Sequence, residues 1–125
     1  RQFAEQTGVT AMAISIGNVH LQRGSEGAVD VPRLRAIEAV TGIPLVIHGG
    51  SGIAAATRRD LSMTSNICKF NVGTELRVVF GNTLRKVLAE HPEEFDRVTI
   101  LGKVIPDLRE ATRGVLRSLD SQSRA

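Results

Sequence analysis

Three stretches of this chain carry residue types that could do chemistry. The first is His48-Gly49-Gly50-Ser51-Gly52, which follows the apolar run Leu45-Val46-Ile47. The second is Ile16-Gly17-Asn18-Val19-His20, which closes the apolar segment Val9–Ser15. The third is Asn71-Val72-Gly73-Thr74, which closes the segment Asn66–Val72 and leads into a helical pattern. Imidazole suits a zinc ion, and a catalytic zinc keeps about three protein ligands and one open position. Glycine-rich turns let backbone N–H groups approach an anion, most effectively where the turn opens a helix. Together the stretches offer metal ligands, His20 and His48, beside a cradle for phosphate. Each feature also has a plainer reading: a strand-end histidine held by structural hydrogen bonds, or a tight strand-to-helix turn with no ligand. The third histidine, His91, precedes Pro92 at a helix end and reads as a surface residue.

The elements that must position these groups follow from periodicity. Arg1–Thr7 reads as the last turns of a helix stopped by Gly8. Val9–Ser15 is the first buried strand, and Leu21–Asp30 is a polar loop. Asp30 caps a helix with Pro32 near its first position, running to about Val40 with Leu34, Ile37 and Val40 on its apolar face. Leu45–Ile47 lacks polar alternation, as expected of a strand covered on both faces. A helix over Ile53–Met63 with Ile53, Ala56 and Leu61 inward comes next, then the strand Asn66–Val72. The helix Glu75–Glu90 carries a stripe at Leu76, Val79, Phe80, Leu84, Val87 and Leu88. Pro92–Lys103 reads as a connection with a helical turn near Phe95, and Pro106 as the start of a last helix with Leu108, Ala111, Val115, Leu116 and Leu119 on one face. Ser121–Ala125 is expected to fray.

Strand–helix alternation argues for a parallel sheet with covering helices. All strands then point one way, and His20, His48 and the Asn71–Thr74 turn fall on one rim. His20 and His48 are 28 residues apart, about one strand–helix–strand unit. Neighbouring strands lie roughly 4.8 Å apart, close enough for two imidazoles to share one ion.

Composition narrows the function classes. The 125 residues suffice for one domain, and 42% hydrophobic against 23% charged residues is a globular profile. With no Trp or Tyr and four Phe, the core must be aliphatic. No apolar run approaches the roughly 20 residues that cross a bilayer. The net charge of +3 comes from scattered basic residues, with no basic stripe interleaved with aromatics, which argues against nucleic acid as a partner. The mild positive bias suits an anionic small substrate, and equally a solvated surface. The single Cys68 cannot form an internal disulfide, reads as a buried inert thiol, and points to a cytoplasmic setting.

Taken together, Ile16–His20, Pro44–Gly52 and Lys69–Arg77 resemble the C-terminal signatures of class II, metal-dependent fructose-bisphosphate aldolases and of the related tagatose-bisphosphate aldolases. The resemblance implies that this chain is a single partial domain, residues 1–125, forming the C-terminal three βα units of a TIM (β/α)8 barrel plus a terminal helix. It implies reversible aldol cleavage of a ketose bisphosphate to dihydroxyacetone phosphate and an aldehyde, with zinc acting as a Lewis acid on the enediolate that cleavage leaves. His20 and His48 match two zinc ligands, and Gly49 and Ser51 match contacts to phosphate and to a monovalent cation (Na+ or K+). Asn71, Gly73 and Thr74 match the part that holds the dihydroxyacetone phosphate end. Homo-oligomers, dimers or tetramers, are common in such a family; neither nucleic acid nor membrane is implied.

The chain departs from the family pattern in two ways. Leu21 stands where a glycine usually follows the first histidine, and no Asp-His pair, which would supply the third zinc histidine and a proton-donor aspartate, occurs in the sequence. The chain starts at Arg1 without Met and reads as a fragment; the competing reading is a non-catalytic remnant that keeps a phosphate-binding rim or serves in assembly. The 125-residue chain alone is therefore expected to show no aldolase turnover, and cleavage well above background in an assay with added zinc would contradict this.

Overall fold

A computed structural model describes residues 1–17 and 28–121. His20, Asn18, Leu21 and most of the expected Leu21–Asp30 loop lie outside the described residues, as do the last four positions of the tail. The order of elements is α1 (Gln2–Thr7), β1 (Met12–Ile14), α2 (Val31–Glu38), β2 (Leu45–Ile47), α3 (Ala55–Thr64), β3 (Ile67–Phe70), α4 (Thr74–Glu90) and α5 (Arg97–Ser118), with one 3-10 turn at Gly50–Gly52 between β2 and α3. The three strands form one parallel sheet in the order β1-β2-β3, with Ile14 beside Ile47 and Ile47 beside Phe70. The result is three successive βα units plus a terminal helix, as the alternation of patterns predicts.

The central strand explains why the sheet holds. Leu45 and Ile47 of β2 are fully buried, and they pack with Ile16, Leu34 of α2, Ile53, Leu61 of α3 and Ile67 of β3. Burying side chains of this size stabilises by about 1.5–3 kcal/mol each. Local signals set the ends. Gly8 takes the left-handed conformation (φ 65°) and its N–H returns to the Ala4 carbonyl, which stops α1. The Asp30 carboxylate accepts from the Arg33 N–H at 2.9 Å and starts α2, with proline in its first turn. Gly17 (φ 89°) is closed in from one side, because a Cβ there would lie 2.8 Å from the Ala28 carbonyl oxygen.

Several sequence expectations are corrected. Val40 is not on the buried face of α2; the helix ends at Glu38, the chain turns on the Ile37 carbonyl, and Val40 is left exposed while Thr41 goes in. On α3 the inward position expected of Ala56 is taken instead by Arg58, which is buried beside Leu61. Cys68 is exposed, because nothing among the described residues covers the Cys68–Lys69 part of β3; its Sγ lies 3.4 Å from the Leu45 carbonyl oxygen.

The largest difference is in α5. Pro106 does not begin the last helix but sits inside it, and Arg97–Lys103 is helical rather than a connection. Proline is favoured in a first turn, which is why it reads as a start; within a helix it forfeits one bond to the carbonyl four residues back and its ring crowds that carbonyl, a cost that packing must offset. Here that carbonyl belongs to Gly102, on the exposed side. The true start is Asp96, whose carboxylate accepts from the Thr99 N–H at 2.9 Å and the Thr99 hydroxyl at 2.7 Å. α5 then packs along α4, with Val104 and Val115 of α5 and Val87 of α4 all buried, and Asp107 accepting from the buried Thr83 hydroxyl at 3.0 Å.

The hydroxyl and then the amide of Thr99 hold the Asp96 carboxyl below its ordinary value of 3.8. A carboxylate lowered in the native state stabilises the fold above its unfolded value, and that contribution disappears as pH falls through the lowered native value. The melting-temperature gap between the parent chain and Asp96→Ala should be full at pH 7 and narrow below about pH 4. A gap that stays constant on acidification would contradict the capping role of the ionised form.

Candidate active-site rim

The site is built where β2 and β3 end side by side. The ladder continues past both strands: the Asn71 N–H donates to the Ile47 carbonyl at 2.8 Å, and the Gly50 N–H donates back to the Asn71 carbonyl at 3.0 Å. These two bonds lock the turn after β2 to the turn after β3. They also favour glycine at position 50, where a Cβ would lie a tight 3.2 Å from both the Asn71 oxygen and Val72 Cγ2. Gly49 adopts the left-handed conformation (φ 65°) that swings the chain from β2 into the 3-10 turn.

Ser51 completes the join. Helix α4 has Gly73 at its N-cap and so no side chain of its own to cap it. The Ser51 hydroxyl oxygen accepts from the N–H groups of Gly73 and Glu75, each at 3.2 Å. A residue from one βα unit thus caps the helix of the next. The positive end of the α4 dipole then sits on the rim.

Between the turns lies an open cleft of about 500 Å³. Of the sequence-predicted site residues, His48, Gly49 and Ser51 from the first turn and Asn71, Gly73 and Thr74 from the second all line it. His48 is exposed, and the Asn71 side-chain amide lies 3.1 Å from its Nε2 and 3.3 Å from its Nδ1. A ring nitrogen accepting from Asn71 is occupied while that bond lasts, so ligation through it requires the amide to release it. The other predicted ligand, His20, lies outside the described residues. His91, read as a surface residue, is exposed at the C-terminal end of α4, away from the cleft.

Two further charged groups escaped the sequence reading of the site. Arg77, one turn into α4, lines the cleft, with its guanidinium over the space beside Gly73. Its place one helical turn after the glycine was the available signal. Arg58, one of the scattered basic residues of the sequence, is buried on α3 and pairs with Glu75 of α4, Nη1 to Oε2 at 3.0 Å. Its position three residues before the inward Leu61 placed it on the buried face.

The described residues contain no group of three or more His, Cys, Asp or Glu side chains that could hold a metal ion. They present one exposed imidazole at a strand end beside a cleft that is lined with backbone amides and one arginine. Such an arrangement can offer one metal ligand and receive an anion.

The fold has close counterparts. The YdjI aldolase of Escherichia coli K12 superposes with a TM-score of 0.74 at 24% identity, over 99% of this chain and 44% of that one. A Coccidioides immitis protein assigned as a fructose-1,6-biphosphate aldolase superposes with a TM-score of 0.75, also at 24% identity, over 96% of this chain and 41% of that one. The chain therefore spans less than half the length of either structure and shares its fold with part of each. The model of the family fructose-bisphosphate aldolase class-II matches residues 1–124. With the match running over nearly the whole sequence, this chain belongs to the class II fructose-bisphosphate aldolase family.

Proposed function

We propose that this chain is the C-terminal part of a zinc-dependent ketose-bisphosphate aldolase barrel, and that its rim holds the dihydroxyacetone phosphate end of the substrate. The reaction is the reversible aldol cleavage of fructose 1,6-bisphosphate or tagatose 1,6-bisphosphate to dihydroxyacetone phosphate and glyceraldehyde 3-phosphate, in a cytoplasmic enzyme built as a homo-oligomer. The observation that carries this reading is the single cleft that gathers His48, Ser51, Asn71, Gly73 and Thr74 at the N-terminus of α4. Family membership supports the reaction class.

The residues present fit a zinc ion in part. His48 would serve as one ligand and His20 as a second, with a monovalent cation beside Gly49 and Ser51. When bound, zinc would supply Lewis-acid stabilisation of the negative charge that develops on the substrate as its carbon–carbon bond breaks. The chain's own groups do the rest. The Ser51 hydroxyl keeps the first turn of α4 fixed on the rim, and the backbone of Gly73 and Thr74 places the helix dipole against the phosphate. Asn71 is tied by its backbone to both Ile47 and Gly50, so its side-chain amide can hold the His48 ring and a substrate oxygen in fixed relation. Arg77 adds a cation at the cleft wall. Fixing the phosphate in this way orients the reacting carbons.

Ser51→Ala removes the hydroxyl that joins the two turns. Calorimetric titration with dihydroxyacetone phosphate should show affinity lowered about tenfold or more, because both hydrogen bonds that the hydroxyl accepts, from Gly73 and Glu75, are lost and the turns are no longer joined. Equal affinity in the parent and Ser51→Ala chains would contradict the proposed cradle.

A further inference from the structure

We propose that Arg58 is a positioning residue for the anion cleft and acts on it through Glu75; this role rests on the reading of the cleft as a phosphate site. Arg58 lies on α3, is only 5% exposed, and places Nη1 3.0 Å from Glu75 Oε2. Its Nε is buried with no hydrogen-bond partner among the described residues, so Glu75 is the one carboxylate that anchors the guanidinium. Neither Arg58 nor Glu75 lines the cleft. Glu75 is nonetheless tied to the cleft wall, because its backbone N–H donates at 3.2 Å to the hydroxyl oxygen of Ser51, which lines the cleft. One residue therefore carries both an amide bonded to a cleft-lining side chain and a carboxylate next to it.

That carboxylate has two opposed effects. It complements the positive end of α4, but an unpaired negative charge in the first turn repels a phosphate held at the same helix end. The Glu75 side chain is 37% exposed, so solvent screens it only in part. Arg58 resolves the conflict from the buried side. An arginine is always charged, and burial makes its attraction to Glu75 stronger than at a surface. The pair draws the Glu75 carboxylate toward α3 and neutralises it, which leaves Arg77 and the backbone amides to set the potential of the cleft. It also ties α3 to the start of α4, so the turn at Gly50–Gly52 and the turn at Asn71–Gly73 keep their spacing.

The test is calorimetric titration of the full 125-residue chain with inorganic phosphate, run on the parent, Arg58→Met and the double variant Arg58→Met/Glu75→Gln, with melting temperatures recorded for each. Arg58→Met should weaken phosphate binding about tenfold, because Glu75 is left charged and unpaired beside the anion. The double variant carries no unpaired charge and should return to within about threefold of the parent. A folded Arg58→Met chain that binds phosphate as the parent does, with only its melting temperature lowered, would show that Arg58 is packing alone. The same conclusion follows if the double variant stays as weak as the single one. Should Arg58→Met fail to fold, the double variant alone decides the matter by the same threefold criterion. If the parent itself does not bind phosphate, the cleft reading falls and this role falls with it, an outcome distinct from normal binding by Arg58→Met.

Discussion

The structure depends on the pair of hydrogen bonds that carries the β2–β3 ladder beyond the ends of its strands. Asn71 donates to Ile47 and accepts from Gly50, so the two turns move as one piece. The residues that line the rim hang from that lock. His48 lies between the two bonded positions Ile47 and Gly50, Ser51 follows Gly50 and reaches across to cap α4, and Gly73 and Thr74 follow Asn71 into the helix. A side chain at position 50 would crowd the Asn71 carbonyl and Val72 at 3.2 Å. Parallel sheets place the ends of neighbouring strands together in any case. What is particular here is that the ends are bonded to one another, which makes the rim a rigid holder rather than two adjacent loops.

A division of labour follows from this arrangement. Apolar burial of Leu45, Ile47, Leu34, Leu61 and Ile67 fixes where the sheet and its helices sit. The polar bonds at the rim fix the orientation of a few groups to within the tolerance that chemistry needs. At the opposite end of the strands, Glu38 shows the same kind of joining with no site attached. Its carboxylate accepts from the Asn66 N–H at 2.6 Å and pairs with Arg35 at 2.7 Å, while Arg35 also donates to the Thr64 carbonyl. Partial burial acts to raise the Glu38 pKa, but the Asn66 N–H and Arg35 outweigh it and hold the carboxyl below its ordinary value. The contrast agrees with the general pattern of α/β barrels, in which the carboxyl end of the sheet carries chemistry and the amino end carries stability.

Much of this was legible in the sequence because it rests on local signals. Gly8 after a helix, Asp30 before Val31-Pro32, and the unbroken Leu45-Val46-Ile47 run each specify their element without help from the rest of the chain. That the two turns would meet on one rim was legible for the same reason, since a strand that ends in glycine and opens a helix marks a strand-to-helix turn at the carboxyl end of the sheet. What escaped was set by tertiary packing. The residue type of Arg58 says surface, and only its pairing with Glu75, 17 positions away, lets it sit inside α3. Pro106 reads as a boundary, and only the packing of α5 along α4 carries the helix through it. Cys68 reads as core because its neighbours are apolar, yet its face of β3 is open among the described residues.

The central claim is that the joined turns after β2 and β3 receive the phosphate of a three-carbon ketose phosphate. Amide chemical-shift mapping of the 125-residue chain during titration with dihydroxyacetone phosphate tests it most directly. Saturable shifts concentrated at Gly49, Ser51, Gly73 and Thr74 are expected, with little change at the Arg35–Asn66 end of the sheet. Saturable shifts centred anywhere else on the chain, or none at these four amides, would contradict it.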